Sequence, residues 1–276
     1  MKIPYVNLEA QWKEDEKELK PILLNILKKG QYIGGDEINQ FEKKICKICG
    51  TKYAVALNSG TDALTLGLYL LGVKRGDEVI TPPNSFISST SSIVHIGAKP
   101  VFVDVLKDQN INPELIEKAI TKKTKAIMPV HLTGRIAEMN SIIKISKKYK
   151  IPIIEDAAQA IGTKYKNKFV GCFGKIGCFS AHPLKNLNAC GDSGFITTDN
   201  YSFYKTALAM RNHGQVDRNL VKKFGFLSRM DILQAAILNF RIKNLNKIIS
   251  ARRKNAKFYL DNLDRKKYLL IDEKNY

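Results

Sequence analysis

The sequence has no apolar run long enough to cross a bilayer, and its opening residues, MKIPYVNLEAQW, hold no apolar signal core. Both absences predict a cytoplasmic protein with no membrane partner. A cysteine framework is missing too. The five cysteines, Cys46, Cys49, Cys172, Cys178 and Cys190, are odd in number and lack disulfide-framework spacing. Cys46 and Cys49 form a C-x-x-C, but late in an amphipathic stretch and with no second ligand pair nearby. They read as thiols on a helix face, and no metal site is expected. Acidic residues are scarce, 26 against 45 basic, which gives a formal net charge of +19. A nucleic-acid binder would gather that charge in a patch or arm. Here it is scattered in pairs such as Lys28-Lys29, Lys122-Lys123, Lys147-Lys148 and Lys222-Lys223. The pattern describes a solvated lysine-rich surface, so nucleic acid is not an expected partner, although the excess would help attract an anionic substrate.

What is present is an ordinary enzyme composition, 44% hydrophobic and 26% charged over 276 residues. That length accommodates a large α/β domain and part of a second. Met1 to Ala10 reads as an extended arm. Apolar spacing predicts helices over Gln11–Lys29, stopped by Gly30, and near Glu37–Cys49, stopped by Gly50. Tyr53–Leu57 is a buried strand that opens through Asn58-Ser59-Gly60-Thr61 into a helix ending at Leu71. Strands at Glu78–Thr81, Pro100–Val103, Ala126–Val130 and Ile151–Glu155 then alternate with helices at Ser85–Ile96, Pro113–Ile120 and Met139–Tyr149. The alternation predicts βα units in a mainly parallel sheet flanked by helices, with ligands beyond the carboxyl ends of its strands. Gly194–Thr198 is a further strand and Tyr201–Arg211 a helix, then a polar loop covers Asn212–Phe226. One long helix is predicted from Met230 to about Leu263.

The stretch Ile151 to Asn188 carries the chemistry. Its apolar run, Ile151–Ile154, ends in the acidic pair Glu155-Asp156. Two short β-type runs follow, and the second delivers Ser180, His182 and Lys185. Pyridoxal 5′-phosphate (PLP) needs an amine for its aldehyde, a carboxylate for its ring nitrogen and donors for its phosphate. Asp156 and Lys185 are 29 residues apart, a spacing that lets both reach one pocket from neighbouring strand ends. Ser59-Gly60-Thr61, ahead of a helix, offers backbone N–H groups and a favourable dipole to an anion.

Several motifs occur together: Ser180-Ala181-His182-Pro183-Leu184-Lys185-Asn186, Glu155-Asp156-Ala157-Ala158-Gln159-Ala160, Pro129-Val130-His131-Leu132-Thr133-Gly134 and Asn58-Ser59-Gly60-Thr61-Asp62-Ala63-Leu64. From about Val6 through Arg253, the chain resembles the DegT/DnrJ/EryC1/StrS aminotransferases, PLP-dependent enzymes that aminate sugars. The resemblance implies an aspartate-aminotransferase-like PLP-dependent transferase fold. It implies a PLP-binding large domain over residues 1–240 and, over 241–276, the long-helix end and the start of a truncated small domain.

By the same resemblance, Lys185 holds the cofactor and moves protons, Asp156 meets the ring nitrogen, and Gln159 contacts the 3′-hydroxyl region. Ser59, Gly60, Thr61 and Ser180 hold the phosphate, and Phe86 stacks on the ring. His182 either touches substrate or phosphate or braces the turn at Pro183, and the roles of His131 and Arg135 stay open. Two positions depart from the family pattern. Leu227 replaces an asparagine that reaches the neighbouring subunit's cofactor phosphate, and Ser193 replaces a glycine. The expected function is amination of a nucleotide-linked keto-sugar, with glutamate as donor, by a homodimer serving surface polysaccharide or lipopolysaccharide synthesis. The alternatives are a shortened, non-catalytic member kept as a cofactor-binding or dimerisation module, and a sugar dehydratase, which Lys185 argues against because those relatives carry histidine there.

Overall fold

The computed structural model describes residues 4 and 6–271. Two helices come first, α1 (Leu8–Lys29) and α2 (Asp36–Cys49). Helix α1 begins earlier than the apolar spacing predicts, because Asn7 caps it by accepting the Ala10 N–H. Leu8–Ala10 are therefore helical rather than part of an extended arm, while Met1–Ile3 and Tyr5 lie outside the described residues. Both helices end at glycines in the left-handed conformation, Gly30 and Gly50, where a side chain would be strained.

The alternating segment follows: β1 (Tyr53–Leu57), α3 (Gly60–Leu70), β2 (Glu78–Thr81), α4 (Ile87–His95), β3 (Lys99–Phe102) and α5 (Pro113–Ala119). It continues with β4 (Thr124–Ile127), α6 (Met139–Tyr149), β5 (Ile154–Asp156) and a small hairpin of β6 (Lys164–Tyr165) and β7 (Lys168–Phe169). Then come β8 (Ile176–Ser180), β9 (Gly194–Thr198), α7 (Tyr201–Met210), α8 (Ile232–Arg241) and α9 (Leu245–Asn262). The single helix expected from Met230 to Leu263 is two helices, interrupted by a 3₁₀ turn at Ile242–Asn244. Beyond Ile249 nearly every α9 side chain is exposed.

Strands β1, β9, β8 and β5 form one ladder and β3, β2 and β4 another. Parallel bridges Ile127↔Ile153 and Val130↔Asp156 join them edge to edge. The sheet is mainly parallel, as expected, except that β9 runs antiparallel to both β1 and β8. Strand alternation divides the core between the two faces. Val55 and Leu57 pack with α3, α4 and α7, whereas Ala54 and Ala56 pack with α2, α6 and α8. Helices cover both faces, so the carboxyl ends of the parallel strands are left to hold a ligand.

Candidate active site

Asp156 ends β5 and Ser180 ends β8, with Ser59 and Gly60 just beyond β1. Close packing draws these ends together. A Cβ on Gly60 would lie 2.6 Å from the Ser180 Cβ, and one on Gly194 would lie 2.3 Å from the Ser59 carbonyl. Only glycine lets the start of β9 approach the Ser59-Gly60 backbone this closely. Gly194→Ala is therefore expected to destabilise the fold by about 3 kcal/mol, read as a lowered thermal midpoint, and to weaken any ligand held by Ser59, Gly60 and Ser180.

Ser59 caps α3 by accepting the Asp62 N–H at 3.0 Å. The N–H groups of Gly60 and Thr61 find no acceptor among the described residues. They open an eleven-residue helix, so its dipole adds to their attraction for an anion. The Thr61 hydroxyl pairs with Ser88 Oγ at 2.9 Å, which ties α3 to α4.

Asp156 is 5% exposed. Burial pushes its carboxyl above the ordinary range, while the Ser89 hydroxyl, the Ala158 N–H and the charge of Lys185 pull the other way. Ser89 Oγ lies 2.6 Å from Oδ2, and Ala158 N donates to Oδ1 at 3.2 Å. Lys185, half-buried beyond β8, is held below the usual lysine range by burial, and the Asp156 charge partly offsets the shift. The amine and carboxylate that the sequence places 29 residues apart thus feel one another in one site.

The segment around the lysine is built from both sides. Lys185 N–H donates to the His182 carbonyl, and the Leu184 N–H donates to His182 Nδ1. His182 therefore braces the turn at Pro183. Asn188 exchanges hydrogen bonds with Gln11 of α1, and its carbonyl accepts from Arg241 of α8, which is itself paired with Asp15 at 3.0 Å. Three helical residues distant in sequence hold the loop that carries Lys185.

Glu155, one residue before Asp156, faces away from it because side chains alternate along a strand. Its carboxylate accepts the N–H groups of Gly171, Phe173 and Gly174 at 2.7–2.8 Å and pairs with His131 Nε2 at 3.1 Å. His131 Nδ1 accepts the Ala137 N–H, which places the ring proton on Nε2. The buried Glu155–His131 pair anchors the turn that leads into β8, a role the local motifs do not disclose.

Gln159 is half-buried and its Oε1 accepts the Thr133 N–H at 2.8 Å, beside His131. Phe86 is 68% exposed at the start of α4, so it is no core residue and its ring face is available to a flat ligand. Arg135 donates to the Ile271 carbonyl. Leu227 is exposed, paired by a bridge with Asn212 across the 212–226 loop. Ser193 is buried, and its hydroxyl turns back to the Asp192 carbonyl. Cys49 is buried, which pushes its thiol up, and Cys46 is half-buried on the same helix. A cavity of about 440 Å³ between α2, β1 and α7, lined by Asp36, Lys43, Tyr53 and Tyr204 among others, contains none of the site residues.

These residues fit PLP: a buried carboxylate and an amine whose acidities each respond to the other's charge, with helix-start N–H groups that find no acceptor among the described residues. The model of the DegT/DnrJ/EryC1/StrS aminotransferase family matches residues 13–274. A dTDP-3-amino-3,6-dideoxy-alpha-D-galactopyranose transaminase from Aneurinibacillus thermoaerophilus is 41% identical, over 95% of this chain and 72% of its own. A 3-oxo-glucose-6-phosphate:glutamate aminotransferase from Bacillus subtilis is 38% identical, over 89% of this chain and 56% of its own. The crystal structure of DesV from S. venezuelae superposes with a TM-score of 0.91 at 36% identity, over 94% of this chain and 70% of that one.

Proposed function

This chain belongs to the DegT/DnrJ/EryC1/StrS aminotransferase family, and we propose that it aminates a nucleotide-linked keto-sugar, with PLP as cofactor and glutamate as donor. The observation that carries the reading is the placement of buried Asp156 at the end of β5 and half-buried Lys185 just beyond β8, each within reach of the other's charge. Bound PLP supplies an electron sink for the bond broken at the amino-bearing carbon.

The chain's own residues would divide the remaining work. Asp156, ionised, holds the proton on the ring nitrogen and orients the ring. Phe86 lays an apolar face against one side of it. Gly60 and Thr61 N–H groups, with the Ser180 and Ser59 hydroxyls, bind the phosphate. Gln159, fixed by Thr133, presents its remaining amide donors to the ring's hydroxyl edge. Lys185 Nζ anchors the cofactor and, once released, carries the proton to and from the reacting carbon.

Glutamate is favoured by the relative whose name specifies it, and a nucleotide-linked sugar by the dTDP-sugar transaminase. The product suits surface polysaccharide or lipopolysaccharide assembly. A homodimer is supported by exposed apolar side chains on the 212–227 loop, Val216, Leu220, Val221, Phe224 and Leu227.

The test is single-turnover spectroscopy of the PLP-loaded chain. Glutamate should bleach the visible cofactor band and release 2-oxoglutarate, and a keto-sugar nucleotide should restore the band with an aminated sugar detected by mass spectrometry. A band that glutamate leaves untouched would replace the enzyme reading with that of a cofactor-binding module.

A further inference from the structure

Helix α4 carries Ser88, Ser89, Ser91 and Ser92, with Ser85 just before it. A serine inside a helix usually returns its hydroxyl to a carbonyl of its own preceding turn. Ser92 does this, donating to the Ser89 carbonyl at 3.2 Å. Ser89 does not. It is 1% exposed, and its Oγ lies 2.6 Å from Asp156 Oδ2, across the gap between helix and sheet. Behind it, Ser85 Oγ lies 2.6 Å from Ser89 Oγ.

The direction of this chain follows from counting protons. A carboxylate can only accept, so the single Ser89 proton points at Asp156. Ser89 can then only accept from Ser85. The result is a directed relay, Ser85 O–H to Ser89 O–H to Asp156 Oδ2, in which each hydroxyl polarises the next.

We propose that Ser89, aligned by Ser85, is a positioning residue for Asp156: it fixes the rotation of the carboxylate at the end of β5 and favours its ionised form. The inference rests on reading Asp156 as the partner of the cofactor's ring nitrogen. Oδ2 is held by Ser89 and Oδ1 by the Ala158 N–H, so the carboxylate plane cannot turn freely while spare lone pairs remain for a ligand. The titratable groups facing Asp156 are His131 beyond β4, Lys185 beyond β8 and Cys178 on β8, with Glu155 adjacent in the chain. Ser89 is the strongest of the influences that oppose the burial penalty. Removing it leaves that penalty less opposed, so protonation of Asp156 moves to higher pH.

The experiment compares the wild-type chain with Ser89→Ala, Ser89→Thr and Ser85→Ala. PLP affinity is measured by equilibrium dialysis across pH. Ser89→Ala is expected to weaken binding about tenfold, with the loss growing toward acid pH. Ser89→Thr, which keeps the hydroxyl, should bind within about twofold of wild type, and Ser85→Ala should fall between.

A cofactor-free arm follows the ¹³Cγ resonance of Asp156 in the apoprotein, assigned with Asp156→Asn. Its titration should shift to higher pH in Ser89→Ala and return in Ser89→Thr. If the wild-type chain binds no PLP but this shift appears, the cofactor reading fails while the positioning of Asp156 by Ser89 stands. An unchanged titration in folded Ser89→Ala, or wild-type PLP affinity at every pH, overturns the inference. So does a Ser89→Thr variant that is well folded yet no better than alanine.

Discussion

Lys185→Ala is expected to abolish the lysine-dependent visible band with PLP and to lower transamination by roughly 10²–10⁴-fold or more, since both the anchoring amine and the proton carrier are lost. The fold should survive. The turn around Lys185 is held by backbone and His182 contacts, by Asn188 with Gln11, and by Arg241, none of which uses the lysine amine. A surface control such as Lys166→Ala should leave the band and the rate unchanged, because Lys166 is exposed in the turn between β6 and β7, whereas Lys185 is half-buried and feels the Asp156 charge.

The pH dependence follows from two opposed shifts. Burial holds Lys185 below the ordinary lysine range, so its unprotonated, nucleophilic fraction at neutral pH exceeds that of a surface lysine. Burial also raises Asp156, so as pH falls its ionised form is lost earlier than that of an ordinary aspartate. Cofactor attachment should therefore quicken as pH rises and fail toward acid as both groups protonate. Stopped-flow absorbance after mixing with PLP reads both limbs. A band that forms in Lys185→Ala at the wild-type rate would remove the lysine from the chemistry.

Most of this architecture can be read along the chain, because the parallel strands are short apolar runs bounded by helix caps and glycines. Gly30 and Gly50 end their helices as written. What sequence spacing misses is mostly settled by packing rather than by neighbouring residues. The break at Ile242–Asn244 leaves Ile242 and Leu245 packed against the core, so the apolar spacing runs through it without a glycine or proline to mark it. The direction of β9, which its sequence leaves open, is set by the two strands it enters between. The early start of α1 is the exception, since Asn7 and Ala10 are three residues apart and that cap is local.

In the site, Asp156 and Lys185 were legible from chemistry and spacing. Ser89 was not, since a serine within a serine-rich helix shows no partner until the helix is laid on the sheet. The separate role of Glu155 could have been inferred, because neighbouring side chains on a strand must face opposite sides.

That opposition supplies the second large effect. Glu155→Ala should lower stability by about 3–5 kcal/mol, whereas Asp156→Asn should leave the apoprotein folded and remove PLP binding. Glu155 receives three backbone N–H groups and the His131 ring N–H in a fully buried position. Alanine would strand all four donors, each at a cost of about 1–3 kcal/mol before relaxation or water entry reduces the total. For a chain of this size, the loss corresponds to a fall of about 10 °C in the thermal midpoint. Glutamine is an instructive intermediate. Each Glu155 oxygen accepts at least two donors, so an amide must turn its NH₂ toward donors on one side or the other. It should recover part of the loss but not all.

Asp156→Asn meets the opposite situation. Its site already disfavours a buried charge, the amide oxygen can keep the Ala158 N–H while its NH₂ donates to the Ser89 hydroxyl, and the melting of the apoprotein should change by less than about 1 kcal/mol. Thermal melts without PLP, paired with PLP binding for each variant, separate the two carboxylates. Equal melting of Glu155→Ala and wild type would show that the 171–174 turn is held by something other than this carboxylate, and a collapsed Asp156→Asn would return Asp156 to the scaffold.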